Sequence, residues 1–280
     1  MTDLDRLRGD WETWRHDREA QMTGPRSPLA FVWGAHVTEP DTAVPPAPGR
    51  WAPLGEARGL RVTAAADEGI RIDDRLVDGE AELYWLALDG PTRAEFSDGS
   101  EGVVFSYDGT KFALQVWNAE ADRMRRFDHI ATFAYGAQWV VPARITEPRE
   151  GRTVAISHFR DPHPVEVPVV AEIVLTIDER YYILQATEHE GTLTIPFRDD
   201  TNGASSYGAG RVLELPLSGP DAVKVGDVAF VDLNRARLLP CAFSPAWNCP
   251  LPPSDNVLPI AIDAGEKWPM DAAGQPLDPE

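Results

Sequence analysis

The feature that most constrains this chain is how often turn-forming residues interrupt it. The 280 residues include 22 glycines and 25 prolines. Beyond Trp51, short runs of β-forming residues alternate with turn signals roughly every eight to twelve residues. This spacing leaves little room for long helices and is typical of a β-sandwich or barrel. We therefore predict a mainly β fold with β-sandwich- or barrel-like lobes.

The N-terminus departs from this pattern and predicts one α-helix. Apolar residues recur at three- and four-residue spacing between residues 3 and 22, with Trp11 and Trp14 the largest, and Arg18 falls in the same series. Gly24-Pro25 ends the pattern. The spacing indicates an amphipathic helix that packs on a β lobe; a helix contact between two copies in a homodimer is the alternative.

Composition divides the chain into three segments. The helix and a proline-rich connector occupy residues 1–50, and a smaller β lobe covers residues 51–120. The charged stretch Ala119–Arg126 interrupts the strand pattern, so it marks the start of a larger β lobe, residues 121–280.

Two hairpins stand out within these lobes. Asp108-Gly109, which suits a tight hairpin turn, separates strand-like residues 103–107 from 110–117. In the larger lobe, residues 172–177 and 181–184 flank a short charged turn. Strands of the larger lobe are predicted at 138–145, 153–158, 169–177, 181–187, 191–197, 210–215 and 227–233.

Charge and hydropathy exclude several classes of partner. The chain has 45 acidic and 26 basic residues, a formal net charge of -19, which argues against binding to nucleic acid or anionic lipid, since both require cations. No apolar run reaches the roughly 18 residues of a membrane-spanning helix. The first residues lack the apolar core of a secretion signal. We expect a cytoplasmic protein that binds neither nucleic acid nor membranes.

A polar loop between residues 197 and 211 carries the first group of candidate site residues. Glycines at 203, 208 and 210 allow unusual backbone conformations, but the loop leads into a strand, so no helix N-terminus is available for a phosphate. One interpretation is a ligand loop with Arg211 as an anion clamp; the other is a self-satisfied loop in which Asp199 pairs with Arg211. The candidate ligand-binding residues here are Thr201, Ser206, Tyr207 and Arg211.

The second group follows a predicted strand. Asp232 and Asn234 are two residues apart, so both should leave the same strand face, next to Arg235. Either this face lines a pocket with Asp199, or a buried Asp–Arg network holds the C-terminal loop. Glu266 is a third acidic candidate, with a surface or ion-pair role as the alternative.

The two cysteines, Cys241 and Cys249, are separated by seven residues. They could form a disulfide, half of a metal site, a nucleophile or a pair of buried thiols. No histidine follows His189 to complete a zinc site, and no base lies nearby to activate a nucleophile. We predict that the thiols are close and reduced, and we assign no metal and no cofactor.

Taken together, these motifs resemble a bacterial family known as domain of unknown function 1684, over about residues 197–267. At Arg237-Leu238-Leu239 this chain departs from the family's tyrosine–asparagine–proline. The resemblance implies a fold neighbourhood and a site region, but no reaction. The matching residues are Phe197, Asp199, Thr201, Gly203, Tyr207, Gly208, Gly210, Arg211, Asp232, Asn234, Arg235, Cys241, Phe243, Cys249, Pro250, Asn256 and Gly265-Glu266-Lys267.

The sequence favours binding of a small anionic ligand at the Asp199–Arg211 loop, together with Asp232, Asn234 and Arg235. Hydrolase-type chemistry would use Asp199, Asp232 or Glu266 as the catalytic residue. The alternative function is a non-catalytic β-rich interaction module, so whether the protein is an enzyme stays open. Geometry separates the two: an open cleft favours a ligand, and a buried, mutually satisfied network favours a structural module.

Overall fold

The computed structural model describes residues 3–55, 58–86, 90–106, 109–219 and 222–277. The fold is mainly β, with 45% strand, 15% helix and a half-barrel sheet, so the predicted fold class is confirmed. Among these residues no helix is long and apolar enough to cross a membrane.

The chain forms two compact units. One contains Gln21–Arg126; the other combines the segment that ends at Ala20 with the residues from Phe127 onward. The N-terminal helix thus shares a unit with the C-terminal half, whereas the proline-rich connector shares one with the smaller lobe.

The predicted N-terminal helix is present as α1, Asp3–Ala20, and a 3-10 turn, Gln21–Thr23, follows it. Trp11 is buried and its indole Nε1 donates a hydrogen bond to the carbonyl of Asn234, 3.0 Å away. The helix therefore packs on the larger unit, at the 3-10 turn Leu233–Arg235, as its apolar spacing predicts.

The smaller unit contains two antiparallel sheets that pack around Trp51, Leu60, Leu83 and Leu114. Six strands follow the order β1-β10-β9-β8-β5-β6 and four follow β2-β3-β4-β7. The strands are β1 Phe31–His36, β2 Thr42–Val44, β3 Ala47–Leu54, β4 Gly59–Ala64, β5 Arg71–Ile72, β6 Arg75–Leu76, β7 Gly79–Tyr84, β8 Arg93–Glu95, β9 Glu101–Phe105 and β10 Ala113–Trp117, with a 3-10 turn at Ala66–Glu68 and a short helix, α2, at Asp122–Arg126.

The first predicted hairpin is confirmed as β9 and β10, in which Leu114 pairs with Val104. Gly109 of its turn adopts a φ of 71°, the conformation that glycine permits. Asp108 lies outside the described residues.

The larger unit contains a seven-stranded antiparallel sheet in the order β19-β12-β15-β16-β17-β18-β20. Two two-stranded ribbons, β11-β21 and β13-β14, accompany it. The strands are β11 Phe127–Thr132, β12 Val140–Thr146, β13 Thr153–His158, β14 Asp161–Pro168, β15 Ala171–Ile177, β16 Arg180–His189, β17 Thr192–Phe197, β18 Arg211–Pro216, β19 Val228–Asp232, β20 Arg237–Leu238 and β21 Glu266–Asp271. Four 3-10 turns lie at Ala137–Trp139, Leu233–Arg235, Pro240–Ala242 and Ser254–Asn256.

Alternation of side chains explains the central strands of this sheet. In β15, every second residue from Ala171 to Ile177 is buried and the residues between them are partly exposed, which is the period of a half-buried strand. The hairpin to β16 closes at Asp178-Glu179, whose positive φ angles of 46° and 62° suit a two-residue turn.

A C-terminal segment closes the core of the larger unit. Leu258 and Ile262 join the buried cluster beneath the sheet. Buried Asn256 fastens this segment, because its amide accepts a hydrogen bond from Gln185 N at 2.7 Å and donates to Gln185 O at 2.9 Å and Pro196 O at 2.8 Å. The segment thereby lies against the loop that follows β17.

Candidate functional site

The polar loop between β17 and β18 is held by its own side chains. Thr201 Oγ1 lies 2.8 Å from Ser206 Oγ, and Asn202 Nδ2 donates to Ser206 Oγ at 3.0 Å and to Tyr207 O at 2.9 Å. Thr201 and Ser206 are buried. Both candidate hydroxyl groups therefore bond within the loop instead of facing solvent.

Arg211 and Asp199 form an ion pair inside the unit, which confirms the predicted pairing. Arg211 Nη2 lies 2.5 Å from Asp199 Oδ2, and both side chains are 0% exposed. Asp199 Oδ1 also accepts the amide of Thr201 at 2.8 Å. Burial lowers the pKa of Arg211 from its usual value, and the Asp199 carboxylate opposes that shift.

Further contacts surround the guanidinium of Arg211. It donates to the carbonyls of Ile262, at 3.0 Å, and Ala264. The rings of Phe133 and Phe197 lie on it with centroid distances of 5.6 and 5.4 Å. Arg211 is thus enclosed by strand, loop and C-terminal segment, and a ligand in solvent cannot reach it.

Close backbone packing precedes Arg211. Gly210 has a φ of 99°, and a Cβ there would lie 2.6 Å from the carbonyl oxygen of Phe197. Only glycine fits this approach without strain. The glycine of the motif therefore lets the loop return to the sheet beside β17.

The second group of candidates forms a separate cluster. Asp232 Oδ1 accepts hydrogen bonds from Asn234 N at 3.0 Å and Nδ2 at 2.8 Å, and Asn234 is also bonded to both backbone groups of Gly136. Arg235 is exposed, with its Nε 3.6 Å from Asp232 Oδ2. Within the described ranges, neither Asp232 nor Arg235 makes a hydrogen bond or ion pair with Asp199 or Arg211.

The predicted shared strand face of Asp232 and Asn234 is wrong. β19 ends at Asp232, and a 3-10 turn begins at Leu233 with the Asp232 carboxylate as its N-cap. The turn replaces the two-residue period of a strand, so Asn234 points to Gly136.

Glu266 is a second enclosed carboxylate of the candidate set, besides Asp199. It is 1% exposed, its Oε1 accepts from Arg18 Nε at 3.1 Å, and its Oε2 accepts from Leu238 N at 2.6 Å. Burial raises the pKa of Glu266, and Arg18 offsets part of that rise. The ion pair joins α1 to β21. Arg18 falls in the apolar series of the helix, and this spacing was the sequence signal that the Arg18 side chain is buried.

The cysteines lie close together, as predicted. Both are buried and free, and Cys241 N donates to Cys249 Sγ at 3.0 Å. Their thiol–thiol hydrogen bond lowers the pKa of Cys241 and, together with burial, raises the pKa of Cys249. Tyr207 Oη donates to the Cys241 carbonyl at 3.2 Å, which connects the loop to the pair.

We expect both thiols to be reduced in freshly lysed cells, with slow reaction in the folded protein because burial withholds them from reagents. Rapid alkylation under denaturing conditions, followed by mass spectrometry, should label Cys241 and Cys249 in every molecule. The same reagent applied to native protein should label neither within minutes. Finding the two cysteines linked in the denatured sample would contradict the prediction.

A cleft of about 890 Å³ opens beside the polar loop. The loop forms one wall, and the proline-rich strap, residues 251–254, forms another. Trp268 stands edge-on to Tyr207, with ring centroids 5.7 Å apart. The residues that line the cleft are Ala155, Ser157, Phe159, Pro164, Arg198, Gly203, Tyr207, Gly208, Ala209, Leu251, Pro252, Pro253, Ser254 and Trp268.

Arg198 is the charged residue of this cleft. Its side chain is exposed, and its guanidinium has no hydrogen bond or ion pair with any residue that the structure describes. None of the described lining residues is acidic. Of the residues predicted from the sequence as site residues, only Tyr207 lines the cleft. Arg198 was missed, although it directly precedes Asp199 in the motif.

The smaller unit has a cleft of about 730 Å³ with a different charge pattern. Its lining includes Arg26 and Arg93 but also Glu95 and Glu101. Arg26 is paired with Glu101 at 2.5 Å, so this cleft has balanced charges. In neither unit does the described part of the chain group three His, Cys, Asp or Glu side chains that could hold a metal ion.

Comparison with known proteins supports the resemblance found in the sequence. The model of a family described as a protein of unknown function, DUF1684, matches residues 125–267; these include every residue of the larger cleft except Trp268. No curated protein matches the chain. Among solved structures, the chain is similar to the solution NMR structure of the uncharacterized protein from gene locus rrnAC0354 of Haloarcula marismortui, at 32% identity over 50% of this chain and 77% of that chain, with a TM-score of 0.41.

Proposed function

This chain belongs to the DUF1684 family, and we propose that its larger unit binds a small organic anion in the cleft beside the polar loop. One observation carries the proposal: the lining contains an unpaired cation, Arg198, and no acidic residue among those described, in a chain with a net charge of -19. An exposed guanidinium offers paired donors to a carboxylate or phosphate. An acid-free lining removes the repulsion that most of this protein's surface would exert on an anion.

The remaining lining residues suggest the character of the rest of the ligand. Tyr207, Trp268 and Phe159 provide aromatic surface, and Pro252 provides a rigid apolar wall. Sites for small molecules combine such apolar walls with a few polar groups that fix orientation. We therefore infer a ligand with a planar or apolar body and one anionic group.

The proposal places the anion at Arg198 and assigns a structural role to Arg211. Arg211 and Asp199 are fully buried and bonded to each other, which favours their holding the loop that forms the cleft wall. Glu266 is likewise bonded to Arg18. We propose binding rather than hydrolysis, because Asp199 and Glu266 have no path to a ligand in this cleft.

Thermal-shift measurements with benzoate and indole-3-acetate, each beside its uncharged amide, test the proposal. A carboxylate at about 100 times its dissociation constant stabilises the native state by roughly 2.7 kcal/mol, or a melting shift of about 5–10 °C for a unit of this size. We expect shifts with the carboxylates only, because the amides lack the charge that Arg198 binds.

Arg198→Gln should abolish the shift and leave the melting temperature of the free protein within about 1 °C, since an exposed substitution of this kind has little effect on stability. Arg235→Gln, at an exposed arginine outside the cleft, should keep the full shift. Equal shifts with carboxylates and amides, or an undiminished shift in Arg198→Gln, would count against binding at Arg198.

A further inference from the structure

The outer face of the seven-stranded sheet is unusually apolar. Four large side chains on strands β19 and β16 are exposed: Val228 at 70%, Phe230 at 73%, Tyr181 at 75% and Ile183 at 49%. The opposite face of the same strands packs into the core. Exposed apolar side chains scattered singly are ordinary, but a contiguous group marks an interaction surface.

Strand register places these side chains on one face of the sheet. Val228 of β19 pairs with Arg144 of β12, Arg144 pairs with Val174 of β15, and Val174 pairs with Ile183 of β16. Phe230 is two residues beyond Val228 on the same side of β19. The face is therefore a patch four strands wide, with β19 at the edge of the sheet.

The size of the patch suits a stable protein contact. An aromatic side chain contributes roughly 150–250 Å² when fully exposed, so the four exposed side chains together present on the order of 500 Å² of apolar surface. Val174 and the polar residues between the rows add to this. A standard interface buries about 800 Å² on each partner, so these four side chains supply more than half of one side of such an interface.

Charge identifies which partner fits. The face carries Arg144 and Glu172, which lie two register positions apart on neighbouring strands, and neither side chain has an ion pair with a residue of the described ranges. The two charges cancel, whereas the whole chain carries -19. A second copy would meet strong repulsion at an acidic surface and less repulsion on this face, and a two-fold axis can place Arg144 of each copy against Glu172 of the other.

We propose that this face is an isologous interface between two copies of the chain, with sheet packed on sheet. Homodimers with one two-fold axis are the commonest oligomers, and the same patch then serves both partners. The proposal places the dimer contact on the sheet and not on α1, whose Trp11 and Arg18 are bonded within the larger unit.

Sedimentation equilibrium of the full chain tests the proposal, with an expected mass twice the 30.8 kDa of one copy. Phe230→Asp and Arg144→Glu should each weaken the dimer at least tenfold. Because Phe230 is exposed, the Phe230→Asp variant should still fold, and its melting curve followed by circular dichroism checks this. Val165→Asp, at a valine of β14 that is 57% exposed outside the face, is the matched control and should remain dimeric.

The charge swap decides whether two copies meet through this face. Glu172→Arg should also weaken the dimer, and Arg144→Glu combined with Glu172→Arg should restore it to within about threefold of the wild type. A monomer mass for the wild type at roughly 100 µM would overturn the proposal, whatever else covers the face. A dimer that tolerates both Phe230→Asp and Arg144→Glu would overturn it too, and failure of the double swap to recover would overturn the Arg144–Glu172 contact.

Discussion

Replacing Arg211 by alanine should lower the free energy of unfolding by about 3–5 kcal/mol, because it leaves the Asp199 carboxylate charged and buried without its partner. The side chains of both residues are 0% exposed, so water cannot substitute for the lost guanidinium. The carbonyls of Ile262 and Ala264 lose their donor in the same step. In a unit of this size the melting temperature should fall by about 6–20 °C, measurable by calorimetry or by urea unfolding.

Two further variants separate this structural role from an anion-binding role. Arg211→Lys keeps the charge but loses the planar fork that serves Asp199 and two carbonyls at once, so it should also destabilise the protein. An arginine that served only a ligand would tolerate lysine without loss of stability. Arg235→Ala, at a side chain that is 41% exposed, should change the unfolding free energy by less than about 0.5 kcal/mol. A loss below 1 kcal/mol in Arg211→Ala would refute the buried network.

Most strands of the larger unit could be predicted because their signal is local. Alternating burial in β15 and the Asp178-Glu179 turn depend on neighbours in the chain, and the sequence displays both. By contrast, β11, β14, β20 and β21 were missed. Strand β21 contains Pro269 and pairs with β11 in a two-stranded ribbon. A proline cannot donate to a strand ladder, so it reads as an interruption unless the strand lies in a narrow ribbon.

The candidate site shows the same division between local and distant information. Asp199 and Arg211 could be paired from the sequence because a short loop joins opposite charges. Their burial could not be predicted, since it depends on Phe133 and Ala264, which are distant along the chain. Arg198 was missed for a related reason: adjacent residues of an extended segment point to opposite sides, so Asp199 enters the core and Arg198 faces the cleft.

Arg18→Ala should be the second strongly destabilising change, and its effect should depend on pH. Arg18 Nε holds Glu266 Oε1 at 3.1 Å, and both side chains are buried. Without Arg18 the Glu266 carboxylate is buried with no charged partner, which lowers the free energy of unfolding by about 3–5 kcal/mol when the carboxylate is charged. Protonation of Glu266 relieves this, so the loss relative to the wild type should be largest near pH 8 and smaller near pH 5.

The sign follows from the direction of the pKa shift. Burial already raises the pKa of Glu266 above 4.5 in the folded protein, and removal of the opposing Arg18 charge raises it further. Between the unfolded and folded pKa values the native state binds more protons than the unfolded state, so stability falls as pH rises through that window. Urea unfolding at pH 5 and pH 8 measures the difference. Arg6→Ala, at an exposed arginine of the same helix, should show neither the loss nor the pH dependence. The double variant Arg18→Ala, Glu266→Gln should lose the pH dependence, because the titrating group is gone. An equal loss of stability at both pH values in Arg18→Ala alone would mean that Glu266 does not titrate in this range.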